Sequence, residues 1–151
     1  MTPNSKYLIH GMYSNRIIVL SLDTYEIVRS IPDYFIYCLT LTPDGKFIIS
    51  GNLDGSIVIR NIETGEKENT LHGHASRISD VMIGDKGTKT VSCDYNYTVK
   101  IWGLESSTLL KSIDAAFRFK NWPIISAFGL SQDSEYIFTA GEDFIIQLVR
   151  D

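Results

Sequence analysis

Two of the three histidines, His72 and His74, flank a single glycine, and two imidazoles at this spacing are able to bind a metal ion. A protein metal site needs further ligands, and no cluster of cysteine or carboxylate residues lies near this pair in the sequence. We therefore expect no metal site. We expect His74 to be a structural residue and His72 to be an exposed loop residue.

A second candidate for chemistry is residues 94–105, which carry oxygen-bearing side chains at the spacing of a calcium-binding loop. The residues at its first, third, fifth and twelfth positions are Asp94, Asn96, Thr98 and Glu105. The sixth position, where such loops need glycine for a sharp turn, is Val99. The spacing therefore does not predict a calcium site. The motifs GxSxG, GxxxxGK[ST] and HExxH are also absent, so we expect no catalytic residues and no cofactor.

The composition is typical of a globular protein with a mixed, mildly acidic surface. Of 151 residues, 44% are hydrophobic, and 14 basic and 18 acidic residues give a net charge of −4. This charge argues against nucleic acids and anionic membranes as partners, and no apolar run is long enough to span a bilayer. Cys38 and Cys93 lie in apolar runs without CxxC spacing, so we expect buried thiols and a cytoplasmic location. A nuclear location is the open alternative.

The chain is built of repeats. A shift of 42 residues superposes 36–71 on 78–113 without a gap. The identical pairs are Ile36/Ile78, Gly45/Gly87, Ser50/Ser92, Ile59/Ile101 and Glu63/Glu105. Shifts of 40 and 47 residues add partial copies at 2–31 and 125–151. Periods of this size are typical of repeat architectures, so we treat residues 1–151 as one repeat domain.

Each copy has the pattern of short β-strands. In the copy at 36–71, apolar runs lie near 36–41, 46–51, 56–61 and 67–71, and the turns between them are TPDG, NLDG and ETG. The strand FIIS is apolar at consecutive positions, which indicates a sheet covered on both faces. The pattern predicts an all-β fold in which small four-stranded antiparallel sheets stack like the blades of a propeller.

The segment TPDGKFIISGNLDGSIVIRNIETG, residues 42–65, resembles the WD40 repeat. So do the Gly-His pair of LHGHASRISDV at 71–81 and the tryptophan strand TVKIWGL at 98–104, where Gly103 replaces the aspartate of the family. The resemblance extends over residues 2–151 and implies about 3.5 blades, half of a β-propeller. It also implies a non-catalytic scaffold that binds other proteins or peptides.

Members of this family often carry a hydrogen-bonded tetrad of His, Ser or Thr, Asp and Trp in each blade. Matched residue by residue, the third copy would supply His74, Ser92, Asn96 and Trp102, with Asn in place of Asp. The second copy retains only Ser50 and Asp54, and the fourth only Thr139 and Asp143. We therefore expect the blades to depend on apolar packing more than on tetrads.

We place the recognition surface at the turns between second and third strands and at the connections between copies. These positions are the least repetitive and the richest in the aromatic and arginine side chains that dominate interfaces. The candidate residues are Tyr13, Tyr34, Phe35, Leu53, Arg77, Tyr95, Arg118, Trp122 and Glu142. The equally open alternative is that such aromatic rings only cover the rim of a blade.

Two alternatives to a binding scaffold stay open. A propeller enzyme with a site at the mouth of its channel would need convergent carboxylates, histidines or metal ligands. The innermost strands here offer Thr40, Asp80 and Ser126, which do not form such a set. The other alternative is a truncated propeller fragment without an independent function.

The copies contain 3, 4, 4 and 3 strands, which predicts an open half-ring with two bare blade faces. We expect Ile9, Ile17 and Val19 to line one bare face. The residues expected at the other end are Phe138, Ile146 and Leu148. Closure by a second copy of the chain, or by a missing remainder of a longer protein, would cover both faces.

Overall fold

The computed structural model describes residues 1–3, 5–11, 13–84, 86–114, 125–131, 136–141 and 146–150; for 114, 125–128, 130, 137–141 and 146–150 it describes the backbone alone. The strands are β1 (Tyr7–His10), β2 (Ser14–Ser21), β3 (Ile27–Leu41), β4 (Phe47–Asn52), β5 (Ile57–Asn61), β6 (Lys67–Leu71), β7 (Ile78–Ile83), β8 (Lys89–Asp94), β9 (Thr98–Gly103), β10 (Thr108–Asp114), β11 (Ile125–Leu130), β12 (Tyr136–Gly141) and β13 (Ile146–Arg150). Within these ranges there is no helix. The predicted all-β fold of antiparallel blades is confirmed.

The strands form antiparallel sheets that follow the repeats. The four strands β7 to β10 form one sheet, and β11 to β13 form another. The remaining sheet has six strands, β1 to β6, because the long strand β3 belongs to two copies. Its first part pairs with β2, with an irregularity between Pro32 and Ile36, and its last part, from Ile36, pairs with β4. We call the unit β1, β2 and early β3 blade 1, the unit late β3 to β6 blade 2, and the unit β7 to β10 blade 3.

The turns explain where the glycines lie. Gly55 adopts a left-handed φ of 81° between β4 and β5, a conformation that glycine alone accepts without strain. A Cβ atom there would lie 2.8 Å from the backbone oxygen of Ser76 and 2.9 Å from that of His74. The turn therefore needs glycine both for its backbone conformation and for its close approach to the connection between blades 2 and 3.

The core lies between consecutive blades. One buried cluster joins blades 2 and 3, and its members are Cys38, Ile49, Ile57, Ile59, Leu71, Ile78, Val81 and Trp102. A second cluster joins blades 1 and 2, and its members are Ile9, Ile17, Val19, Ile31, Ile36, Ile48 and Ile62. Because these side chains come from facing sheets, each blade covers its neighbour, and blade 2 is apolar on both faces.

The second cluster corrects one prediction. Ile9, Ile17 and Val19 do not line a bare end face, because they are buried against blade 2. The exposed face of blade 1 lies on the opposite side of the same strands, where Leu8 pairs with Leu20 and has 45% of its surface exposed. The residues named for the other end of the chain, Phe138, Ile146 and Leu148, have side chains outside the described part.

Candidate functional site

A buried chain of hydrogen bonds joins three elements of blade 3. The indole Nε1 of Trp102 donates to Ser92 Oγ at 2.8 Å, and His74 Nε2 lies 2.6 Å from the same oxygen. On its other side His74 Nδ1 lies 2.9 Å from Asp94 Oδ2. Because an ionised carboxylate only accepts, Nδ1 carries a proton, and in the neutral ring Nε2 accepts from the Ser92 hydroxyl. The connection before β7 is thereby fastened to β8 and β9.

The fourth member of this network is Asp94, so the prediction of Asn96 in that place is wrong. Asn96 lies in the turn after β8, and its backbone N–H donates to Asp94 Oδ1 at 3.0 Å. The N–H of Thr98 donates to the same oxygen at 2.9 Å. Asp94 therefore holds the turn with one oxygen and His74 with the other. Burial raises the pKa of Asp94, but the bonds from His74, Thr98 and Asn96 outweigh it and hold the pKa below its usual value.

Blade 2 contains a polar network that the sequence comparison missed. Asp33 Oδ2 accepts hydrogen bonds from Ser50 Oγ and from Arg60 Nε, both at 3.1 Å. In the alignment shifted by 42 residues, Arg60 matches Trp102 of blade 3. Asp33 lies one residue after the position that matches His74. The carboxylate is 3% exposed, so this is a largely buried ion pair. Blade 2 therefore has this polar network in addition to its apolar packing against both neighbouring blades.

Strand β3, the turns before β2 and β9, and the connection before β7 bring together four aromatic rings and one arginine. The guanidinium carbon of Arg77 lies 3.5 Å from the ring centroid of Tyr95 and 4.8 Å from that of Tyr37. Arg77 Nη1 also donates to the hydroxyl of Tyr37 at 2.8 Å. Tyr13 meets Tyr37 edge-on at 5.3 Å, and the ring of Phe35 lies 5.7 Å from it. We call these five residues the arginine–tyrosine patch.

Backbone hydrogen bonds hold the patch in place. The N–H of Tyr95 donates to the carbonyl of Arg77 at 3.0 Å, and the N–H of Tyr13 donates to the carbonyl of Ile36 at 2.6 Å. Tyr13 and Phe35 have φ values of 52° and 25°, in the left-handed region that costs energy for residues other than glycine. Such conformations persist only where the surrounding structure imposes them, and they are frequent at functional sites.

The patch contains a partly exposed cation. Tyr13 is 67% exposed and Tyr95 is 52% exposed, and the half-buried Arg77 lies against Tyr95 and Tyr37. Across the part of the chain with described side chains, the ion pairs are Arg60–Asp33 and His74–Asp94, so Arg77 has no carboxylate partner there. Its guanidinium has five N–H donors, and Tyr37 uses one of them.

The structure places the other predicted recognition residues as follows. Leu53 lies beside the patch, and its N–H donates to the carbonyl of Phe35 at 3.1 Å. Tyr34 is exposed, without a ring contact to the patch. The remaining three, Arg118, Trp122 and Glu142, lie outside the described residues. Tyr37 was not among the predicted residues. It lies at an irregularity in the pairing of β3 with β4, between Ile36, which packs against blade 1, and Cys38, which packs against blade 3, so regular strand alternation does not place it.

The inner strands were also candidates for chemistry. Burial raises the pKa of Asp80, although a hydrogen bond from the N–H of Val81 lowers it in part. No group of three or more metal-ligating side chains occurs among the residues that the structure describes, and no helix there is long and apolar enough to cross a membrane. Asp80 is thus not part of a metal-ligating group in the described region, and the side chain of Ser126 lies outside it.

The repeats match a known family. The model of the family "WD domain, G-beta repeat" matches residues 26–61 and 65–103, which contain strands β3 to β9. The chain is a WD40-repeat protein. This confirms the resemblance seen in the sequence. It also accounts for His74, Ser92 and Trp102 of blade 3, which match tetrad positions of the family.

Several known proteins match this WD40 chain over about three quarters of its length. The serine-threonine kinase receptor-associated protein of Homo sapiens is 27% identical over 108 residues, which is 72% of this chain and 29% of that protein. The protein of the same name from Gallus gallus matches to the same extent. An uncharacterized WD repeat-containing protein of Synechocystis is 28% identical over 116 residues, 75% of this chain and 33% of its own length. The WD40 chain therefore spans about a third of the length of these relatives.

Proposed function

We propose that the chain is a non-catalytic protein-interaction scaffold that binds other proteins or peptides through the arginine–tyrosine patch. The observation that carries the proposal is the half-buried guanidinium of Arg77, stacked on the exposed Tyr95, bonded to Tyr37 and without an acidic partner among the described side chains. Tyrosine and arginine are enriched among the residues that dominate binding energy at interfaces. The WD40 repeats support a general role in protein association.

The chemistry of the patch favours proteins over other partners. Its five residues contribute one positive charge, and the whole chain carries a net charge of −4. Nucleic acids and anionic membranes are bound by surfaces with many cations, since each neutralised phosphate adds to the affinity. Aromatic rings that are half exposed instead supply large contact areas with few rotatable bonds. We propose a cytoplasmic location, with the nucleus as the alternative, and no cofactor.

The names of the relatives are in line with this role. The human protein is named for association with a serine-threonine kinase receptor, and we extend to this chain only the general property of associating with proteins. The alternative, a propeller enzyme, would require a reactive set at the channel, which Asp80 and Thr40 do not supply. Assays for hydrolase activity on the purified chain are expected to give no turnover, and turnover that disappears in Asp80→Asn would favour the enzyme.

The proposal is tested by comparing capture of partners from a lysate by the native chain and by Arg77→Ala and Tyr95→Ala variants. Tyr25→Ala is the matched control, because Tyr25 is a tyrosine with 77% exposure in the turn between β2 and β3, away from the patch. We expect both patch variants to lose the proteins that the native chain and the control retain. An exposed cation–π contact contributes only about 0.5–1 kcal/mol, so the thermal midpoints should change little. Unchanged capture by both patch variants would contradict the proposal.

We also propose self-association through the exposed face of blade 1. Leu8 is 45% exposed there, beside Leu20 and Ile18, and an apolar face of this kind is a typical site of association. The expected occupant is the same face of a second copy, in a symmetric dimer. Light scattering should give twice the chain mass for the native protein and a lower mass for Leu8→Asp. A native chain that is monomeric at high concentration would refute this proposal.

A further inference from the structure

A cavity of about 360 Å³ lies between blades 2 and 3, at the end of β9 away from Tyr95. Phe47, Ile59 and Leu104 form its apolar floor, and Glu68 and Glu105 stand at its rim. Tyr95 lies in the turn between β8 and β9, whereas Glu105 lies in the turn between β9 and β10. This groove, which we call the Glu68/Glu105 groove, is therefore separate from the arginine–tyrosine patch.

The equivalent place between blades 1 and 2 shows what fits there. The repeat shift of 40 residues brings Arg29 to the position of Asn69, and the shift of 42 brings Glu63 to the position of Glu105. Arg29 crosses from blade 1 to the turn that follows Glu63, where its Nη1 donates to the carbonyl of Thr64 at 3.3 Å. Its Cδ would lie 3.2 Å from a Cβ on Gly65, so the aliphatic stem lies over this turn.

Between blades 2 and 3 the arginine is absent. Asn69 has a much shorter side chain, and its Nδ2 donates to the hydroxyl of Ser107 across the two blades. The groove beside it retains the acidic residue Glu105, and it gains a second one because Glu68 stands where blade 1 has Val28. Both carboxylates are exposed, and neither forms an ion pair with another described residue.

We propose that the Glu68/Glu105 groove binds an arginine side chain of a partner protein. The apolar floor suits the methylene stem of the arginine, and long cationic side chains bury such stems while the charged end stays near water. The two carboxylates suit the guanidinium, whose planar donors match carboxylate oxygens. The site is distinct from the patch proposed above and gives the chain a second contact, with a preference for a basic segment.

The proposal is tested with the peptide Ac-Ala-Arg-Ala-NH2 as a probe. Methyl-labelled protein is titrated with this peptide and with its citrulline counterpart, which has nearly the same shape and no charge. We expect the arginine peptide to shift the methyl signals of Ile59 and Leu104, and the citrulline peptide to shift them much less. Exposed ion pairs are weak, so Glu68→Gln combined with Glu105→Gln should weaken binding about fivefold.

A substitution within the chain gives an independent test. Asn69→Arg restores the arginine that blade 1 has at the equivalent position, so its side chain should fill the groove and abolish binding of the peptide. Arg77→Ala should leave the titration unchanged, which separates a failure of this site from a failure of the patch. Equal shifts from the arginine and citrulline peptides, no shift at either methyl group, or undiminished binding by Asn69→Arg would each overturn the proposal.

Discussion

The two polar networks make a sharp prediction about one substitution at equivalent positions. Ser92 and Ser50 occupy the same place in successive repeats, and both are fully buried. Replacing either serine by alanine removes one hydroxyl and leaves a small space of the same size. We expect Ser92→Ala to be much more destabilising than Ser50→Ala, because loss of the Ser92 hydroxyl leaves more buried polar groups without a hydrogen-bond partner.

The difference follows from the contacts. Ser92 Oγ is the partner of Trp102 Nε1 and of His74 Nε2, so its loss leaves two buried polar groups unsatisfied. Each such group costs about 1–3 kcal/mol, so the two together give a loss of about 2–6 kcal/mol in the free energy of unfolding. Ser50 donates to Asp33, and Asp33 still accepts from Arg60 when the hydroxyl is removed. That loss should be about 1 kcal/mol.

The assay is urea unfolding of the native chain and both variants, followed by far-UV circular dichroism and tryptophan fluorescence. In a thermal scan, Ser92→Ala should melt several degrees below Ser50→Ala, since about 1 kcal/mol corresponds to roughly 2–4 °C in a domain of this size. Equal losses in the two variants, or a larger loss for Ser50→Ala, would refute the argument that orphaned partners determine the cost.

Three further predictions concern other features of the same fold. The folded pKa of Asp94 lies below its unfolded value of 3.8, so the folded state binds fewer protons than the unfolded state. The contribution of Asp94 to stability should therefore be present above about pH 4 and be lost at lower pH. In urea unfolding, the stability of Asp94→Asn should depend less steeply on acid pH than that of the native chain. Burial raises the pKa of Cys38 to about 12 and that of Cys93 to about 11, so a thiol reagent at pH 8 should react only after the protein unfolds, and rapid labelling of the native chain would contradict this. Gly55→Ala places a Cβ 2.8 Å from a backbone oxygen and should cost more stability in the same assay than Gly45→Ala, whose nearest contact is a proline side chain at 3.2 Å.

Much of the fold could be predicted from the sequence, because aligning the repeats places strands and turns at equivalent positions in each copy. Short apolar runs and Asp-Gly turns placed the strands of blade 2 near 46–51 and 56–61, and the structure has them at Phe47–Asn52 and Ile57–Asn61. Local backbone preferences decide such turns, so the signal lies within a few neighbouring residues. The same alignment identified His74, Ser92 and Trp102 as equivalents of family positions, and it directed attention to Arg77 and Tyr95.

What the alignment could not decide was which side chains meet across the chain. It assigned the fourth place in the network to Asn96, whereas the carboxylate of Asp94, two residues earlier, reaches His74. It also gave no pairing of Asp33 with Arg60, which are 27 residues apart and meet only because β3 runs from blade 1 into blade 2.

The sequence by itself determined the repeat period, the strand order within each copy and the residue types that favour binding. The tertiary structure alone decided which face of blade 1 is buried, which tyrosine completes the patch, and where Asn69 leaves a groove that Arg29 fills one blade earlier. The physical reason is that the apolar pattern of a strand distinguishes its two faces but does not show which element packs against each face. That neighbour is set by the stacking of blades, which depends on contacts between residues far apart in the chain.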